Sequence, residues 1–114
     1  MSKTCFVYIV ASKRNGTLYV GMTNDLFRRM WEHREGLVDG FTKENGVKHL
    51  VHFEMHEDVN AAIHREKRLK KWKRQWKIDL IQKSNVEWDD LYEKMTAPMP
   101  LPEWLVQANA AERR

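Results

Sequence analysis

The chain has 114 residues, 42% hydrophobic and 32% charged, with a formal net charge of +4 and a pI near 9.3. That length suits one compact domain with a single core, and this balance excludes intrinsic disorder. Cys5 is the only cysteine, which excludes an intrachain disulfide or a cysteine metal cage; with no secretory h-region and no apolar run near the roughly 18 residues of a membrane span, a soluble, unprocessed, cytoplasmic protein is expected.

Thr4 to Ser12 is nearly continuous β-former, Asn15-Gly16 carries a tight-turn signal, and Thr17 to Met22 is again β-type, so a hairpin is expected. With Asn15-Gly16 as the two turn residues, Ser12 pairs with Tyr19 and Val10 with Gly21, which puts Tyr8 and Tyr19 on one face. Thr23 and Asn24 offer an N-cap, Asp25 supplies an acidic first turn, and Leu26, Met30, His33 and Leu37 recur at helical spacing. A helix from about Asp25 to Glu35 sets Arg29 beside His33 at the edge of its apolar stripe, with Arg28 pointing away.

Residues 36 to 46 read as a polar connection and His49 to Glu54 as a third strand. Asp58 caps a second helix, Val59 to about Lys73, whose apolar stripe of Ala62, Ile63 and Leu69 includes the carboxylate of Glu66. Trp72, Trp76, Leu80 and Ile81 continue the helical pattern with a break near Arg74, and Trp88 to Lys94 can form one or two further turns. Pro98, Pro100 and Pro102 then precede Glu103 to Ala111, a short terminal helix in an appended tail. The expected architecture is α+β: a small three-stranded antiparallel sheet flanked by helices, with a domain over 1–95 and a Pro-containing tail over 96–114.

Cleaving a phosphodiester requires a nucleophile in line with the leaving oxygen, a general base, and positive charge against the developing phosphate. Glu66 can ligate a divalent cation, and one carboxylate plus waters suits Mg²⁺. Arg29 supplies fixed positive charge, Tyr8 and Tyr19 present hydroxyls, and His33 titrates near neutrality in its unperturbed state. Singly, each has a blander reading: a core aromatic, a snorkelling arginine, a structural histidine, a Glu66–Lys70 surface pair. His49, His52, His56 and His64 form no ligand set, because His49 and His52 point to opposite strand faces, and no structural zinc is expected.

In order, these elements resemble the GIY-YIG nuclease superfamily. Phe6-Val7-Tyr8 stands for the first motif, Tyr19-Val20-Gly21 for the second, Arg29 matches the family arginine, His33 the position one turn later, and Glu66 the metal-binding glutamate. The likeness runs from about Cys5 to Trp88 and is greatest to small stand-alone bacterial members, through Lys71-Trp72-Lys73-Arg74 and Trp88-Asp89-Asp90-Leu91. It implies a Mg²⁺- or Mn²⁺-dependent DNA endonuclease of repair, recombination or processing, in which Tyr19 helps activate water, Arg29 steadies the phosphate and Glu66 holds the metal. Phe6 replaces the first motif's glycine. Met22 stands where some members have a lysine, which shifts the proton path toward His33 or Tyr8. The alternative is a catalytically weak or inactive nucleic-acid-binding module on the same fold.

The basic run from Arg65 to Lys77 interleaves Trp72 and Trp76 with cations, a pattern for gripping phosphate and stacking bases. Lys67, Lys70, Lys71, Lys73, Arg74 and Lys77 are the candidate contacts. The expected partner is DNA, single-stranded or branched forms included, with RNA kept as a second candidate and no membrane; oligomeric state is left open, with Leu101, Trp104 and Leu105 available to cover the core or a second copy.

Overall fold

A computed structural model describes residues 4–38 and 40–96. The strands β1 (Cys5–Ala11), β2 (Leu18–Thr23) and β3 (His49–His56) form one antiparallel sheet in the order β2-β1-β3. Central β1 is buried along almost its whole length, as its unbroken run of β-branched and apolar residues requires when helices cover both faces. The expected three-stranded antiparallel α+β fold is the one found.

The hairpin register differs from expectation by two residues. Tyr8 stands opposite Gly21 and Val10 opposite Tyr19, because the connection is a four-residue loop in which Gly16 N donates to Lys13 O at 2.8 Å and Ser12 N to Thr17 O at 3.0 Å. Asn15 takes the left-handed conformation, at φ +58°, which its short polar side chain tolerates. A shift of two preserves side-chain direction, so both tyrosines still share a face.

Helix α1 (Leu26–Arg34) begins at Asp25, which is itself the N-cap and not a first-turn residue: its carboxylate accepts from Arg28 N at 3.1 Å. The expected polar connection contains a one-turn helix, α2 (Phe41–Glu44). Gly46 follows at φ +62°, and Val47 N donates to Thr42 O, which returns the chain so that Val47 enters the core. A bulge in β3 sets Ile9 opposite His52 but Val10 opposite Leu50. His49 then stands opposite Ala11, a residue of the same parity as Ile9, so the simple alternation expected for His49 and His52 does not hold.

Helix α3 (Val59–Lys71) is capped by Asp58, which accepts from Asn60 N at 2.8 Å. It ends two residues before the expected Lys73, where Trp72 and Lys73 adopt extended backbone, and α4 (Arg74–Ser84) starts anew. Helix α5 (Leu91–Thr96) closes the described chain; the expected terminal helix at 103–111, with Leu101, Trp104 and Leu105, lies outside the described residues.

The sheet separates two cores. On one face Val7, Ile9, Val20 and Val51 meet Ala62, Leu69, Ile81 and Trp88. On the other Tyr8, Val10 and Leu50 meet Leu26, Met30 and Val47. Each fully buried aliphatic contributes about 1.5–3 kcal/mol, and the second core alone includes a tyrosine hydroxyl, with His33 against it.

Candidate active site

The hairpin fixes the two tyrosines differently. Tyr8 is 3% exposed and its ring lies across Gly21: a Cβ there would sit 2.4 Å from Tyr8 Oη and 2.5 Å from Cζ. Glycine is required because the ring occupies the space of a side chain. Tyr19, farther along β2, is half-buried.

The spacing that places Arg29 and His33 one turn apart on α1 brings both to these tyrosines. Tyr8 Oη and His33 Nε2 share a hydrogen bond of 3.1 Å, with ring planes inclined at 72°, and the Tyr19 ring centre is 6.1 Å from that of His33. Burial pushes the His33 imidazole down to about 4, Arg29 adding and Glu32 opposing. Burial, reinforced by Tyr19 and Glu66 and opposed by Arg29, pushes the Tyr8 hydroxyl well above its ordinary range. Both groups are therefore uncharged at neutral pH, and their hydrogen bond joins a neutral phenol to a neutral imidazole.

Arg29 Nε is shielded from solvent without a hydrogen-bond partner, 3.6 Å from Glu32 Oε1, a separation at which attraction is coulombic. Glu32 also lies 3.9 Å from Arg28. These three side chains line an open cleft of about 480 Å³ with Thr23, Asn24 and Asp25, within the range that admits small ligands. Glu32 is a site residue that the pattern reading missed; its i, i+3 and i, i+4 placement from the two arginines was the available signal.

Glu66, between Ala62 and Leu69 on α3, approaches from the β2 side. It lies 3.6 Å from Lys70 Nζ, which in turn stands 6.0 Å from the Tyr19 ring centre. The pairing with Lys70 is thus real, but the carboxylate is only 20% exposed and acts electrostatically on Tyr8 as well. Tyr8, Tyr19, Arg29, His33 and Glu66 come together in one neighbourhood.

Among the described residues no three His, Cys, Asp or Glu side chains converge on a metal-sized site. A hydrated Mg²⁺ or Mn²⁺ still fits, since it needs one partly exposed carboxylate and completes its shell with water and substrate oxygens, and Glu66 meets that requirement. The histidines of β3 have other partners. His52 and His56 point their Nε2 atoms at Glu54, at 2.8 and 3.3 Å, while His49 Nδ1 lies 3.4 Å from Asp90.

Of the basic run, Lys67, Lys70, Lys71 and Lys73 are exposed and Lys77 half-buried. Arg74, also exposed, donates to Asn15 O at 2.7 Å and Gly16 O at 2.6 Å, fastening α4 to the hairpin turn. No helix among the described residues is long and apolar enough to cross a membrane.

The model of the GIY-YIG catalytic domain matches residues 4–79. A UPF0213 protein of Clostridium perfringens (strain 13 / Type A) is 36% identical over 89 residues, covering 78% of this chain and 94% of that protein. A UPF0213 protein of Staphylococcus aureus (strain Mu3) is 39% identical over 77 residues, covering 68% and 93%. The solution NMR structure of a UPF0213 protein from Bacillus halodurans aligns at 24% identity with a TM-score of 0.49, covering 82% of this chain and 99% of the other. With the family model matched over residues 4–79, the chain belongs to the GIY-YIG catalytic domain family, a family of nucleases that act on nucleic acid and generally use divalent metals.

Proposed function

We propose that this protein is a divalent-metal-dependent endonuclease that hydrolyses phosphodiester bonds of DNA in repair, recombination or processing. The observation that carries this reading is the Tyr8–His33 hydrogen bond set between an incompletely bonded arginine and a nearby carboxylate. Arg29, at the cleft, steadies the phosphate and the charge that develops on it. Glu66 would hold Mg²⁺ or Mn²⁺, which when bound supplies Lewis-acid stabilisation to phosphate oxygens. The Tyr19 hydroxyl, the more accessible of the two, orients the attacking water. The proton passes through the Tyr8 hydroxyl to His33 Nε2: the phenol oxygen gains the water's proton as it releases its own. An imidazole held near 4 is a weak base, but it is free to accept across the neutral range. This route needs no lysine at position 22, where the chain has methionine.

We assign the nuclease domain to residues 1–95 and the tail to 96–114, and place the protein in the cytoplasm. The lone, free Cys5 is consistent with a reducing compartment. A second reading, a nucleic-acid-binding module with little or no turnover, is favoured by the Lys70 ammonium beside Glu66, which competes with a cation for the carboxylate.

The deciding experiment offers single-stranded, nicked, flapped and branched DNA, with RNA counterparts, to wild type and Glu66→Ala in Mg²⁺, Mn²⁺ or EDTA. Cleavage that needs the metal and disappears in Glu66→Ala, with an unchanged melting temperature, is expected. A fully active Glu66→Ala, or cutting indifferent to EDTA, would overturn the assignment; mobility shifts without cuts at high protein concentration would establish the second reading.

A further inference from the structure

Trp76 is 51% exposed, yet one side of its ring is packed. Trp72 packs edge-on against it, with ring centres 6.0 Å apart and planes at 85°. The Arg65 guanidinium lies 5.1 Å from the Trp72 ring centre and is itself fixed by two bonds of 2.9 Å to the carboxylate of Glu54. Burial raises that carboxyl, but the hydrogen bonds from His52 and Arg65 outweigh it and hold Glu54 well below the usual carboxylate range, so the pair stays charged. On the other side, Arg74 ties the first turn of α4 to the hairpin turn. The turn of α4 that carries the indole is therefore tied to the hairpin that carries Tyr19.

A large exposed aromatic held in this way loses little freedom when something flat stacks on it. The local charge defines what that is. Lys73 Nζ is 5.6 Å from the Trp76 ring centre, and Lys70, three residues earlier, has its Nζ 3.6 Å from Glu66 and 6.0 Å from the Tyr19 ring centre. At 1.5 Å per residue, Glu66 and Lys71, the last residue of α3, are roughly 7.5 Å apart along the helix axis, and Lys73 lies two residues beyond. Positive charge thus runs from the site to the indole shelf, while Asp79, the acid beside the shelf, is bonded to Gln75 at 2.9 Å.

We infer that Trp76 is a base-stacking platform for an unpaired nucleic-acid strand entering the site, with Lys73 and Lys70 tracking its phosphates. Bases in a duplex have their faces covered by neighbours, whereas an unpaired strand can lay one on the indole. The shelf therefore selects single-stranded or frayed substrate. This inference rests on the nucleic-acid reading proposed above and deepens it.

The test measures fluorescence anisotropy of a labelled oligo-dT of about 15 nucleotides, a length spanning known single-strand site sizes, and of a blunt duplex of equal length. Full-length wild type, Trp76→Ala and Trp76→Phe are compared in EDTA over a salt series. Trp76→Ala is expected to weaken oligo-dT binding about tenfold, Trp76→Phe less, with duplex binding within about twofold of wild type and the salt slope unchanged because no charge is removed. Oligo-dT binding equal to wild type, or equal losses for duplex and single strand, would overturn the inference. So would a fall in melting temperature with binding intact, since the indole would then be covered by the protein's own chain. Wild type that binds neither probe would overturn both this and the nucleic-acid reading; wild type that cleaves DNA while Trp76→Ala retains full affinity would overturn the platform alone.

Discussion

Glu54 on β3 and Glu66 on α3 are almost equally shielded, with side chains 19% and 20% exposed, yet their surroundings differ in kind. Glu54 meets two guanidinium nitrogens and two imidazoles at 2.8 to 3.3 Å; Glu66 has a lysine at 3.6 Å. The same contrast holds around them. Of the three buried side-chain polar atoms without a partner among the described residues, Arg29 Nε and His33 Nδ1 belong to the neighbourhood of Glu66. Burial alone does not separate Glu54 from the carboxylate proposed to hold a metal. What separates them is unused hydrogen-bonding capacity, which a folded protein retains at a cost of about 1–3 kcal/mol per buried group.

Removing the charge of each carboxylate in turn tests the contrast most directly. Glu66→Gln should lower the cleavage rate at least 100-fold, on the order of losing one strong electrostatic contact in a transition state, with no change in melting temperature; a parallel loss of stability would erase the distinction. The pH dependence of folding comes next. The unfolded imidazole of His33 takes a proton near 6.5 and the folded one only near 4, so its contribution is full above pH 6.5 and lost as pH falls to 4, about 3 kcal/mol in all. Urea midpoints across that window should decline in wild type and flatten in His33→Gln, and identical slopes would rule out the buried neutral imidazole. Glu54→Gln should cost about 2 kcal/mol of stability, because Arg65 is left without its counter-charge, while turnover of the folded fraction stays within about twofold. Smallest of all, Lys70→Ala should change stability by less than about 0.5 kcal/mol, since Lys70 is half exposed. A larger change in chemical denaturation would make Lys70 a structural partner of Glu66.

Much of this contrast was legible in the residue pattern, and the limits were physical. The β-formers around Asn15-Gly16 located the hairpin, and the period of two kept Tyr8 and Tyr19 together although the register moved by two residues. Helical spacing indicated the sheltered helix faces on which Arg29, His33 and Glu66 lie, because α1 and α3 each bury one stripe. The partners of Glu54 were hidden. The bulge at residues 50–52 is a backbone event without a residue signature, and Arg65 is eleven positions away on another element. The overlap of the Tyr8 ring with Gly21 depended on the same unseen register.

Asp90 carries a consequence for where this fold can be cut. The family match ends at residue 79, but Asp90 accepts from Leu50 N at 3.2 Å and Tyr92 N at 3.1 Å, and pairs with Arg34. Leu50 belongs to β3, one of the two edge strands, so this carboxylate occupies an amide that would otherwise face outward. Asn85 adds a bond to Val51 O at 3.1 Å. A chain stopped at the end of the matched region would bare that strand edge and the apolar Leu50–Val51 step together, a template for pairing with a second copy. The family likeness stops short of this cover, which the segment from Asn85 to Tyr92 supplies.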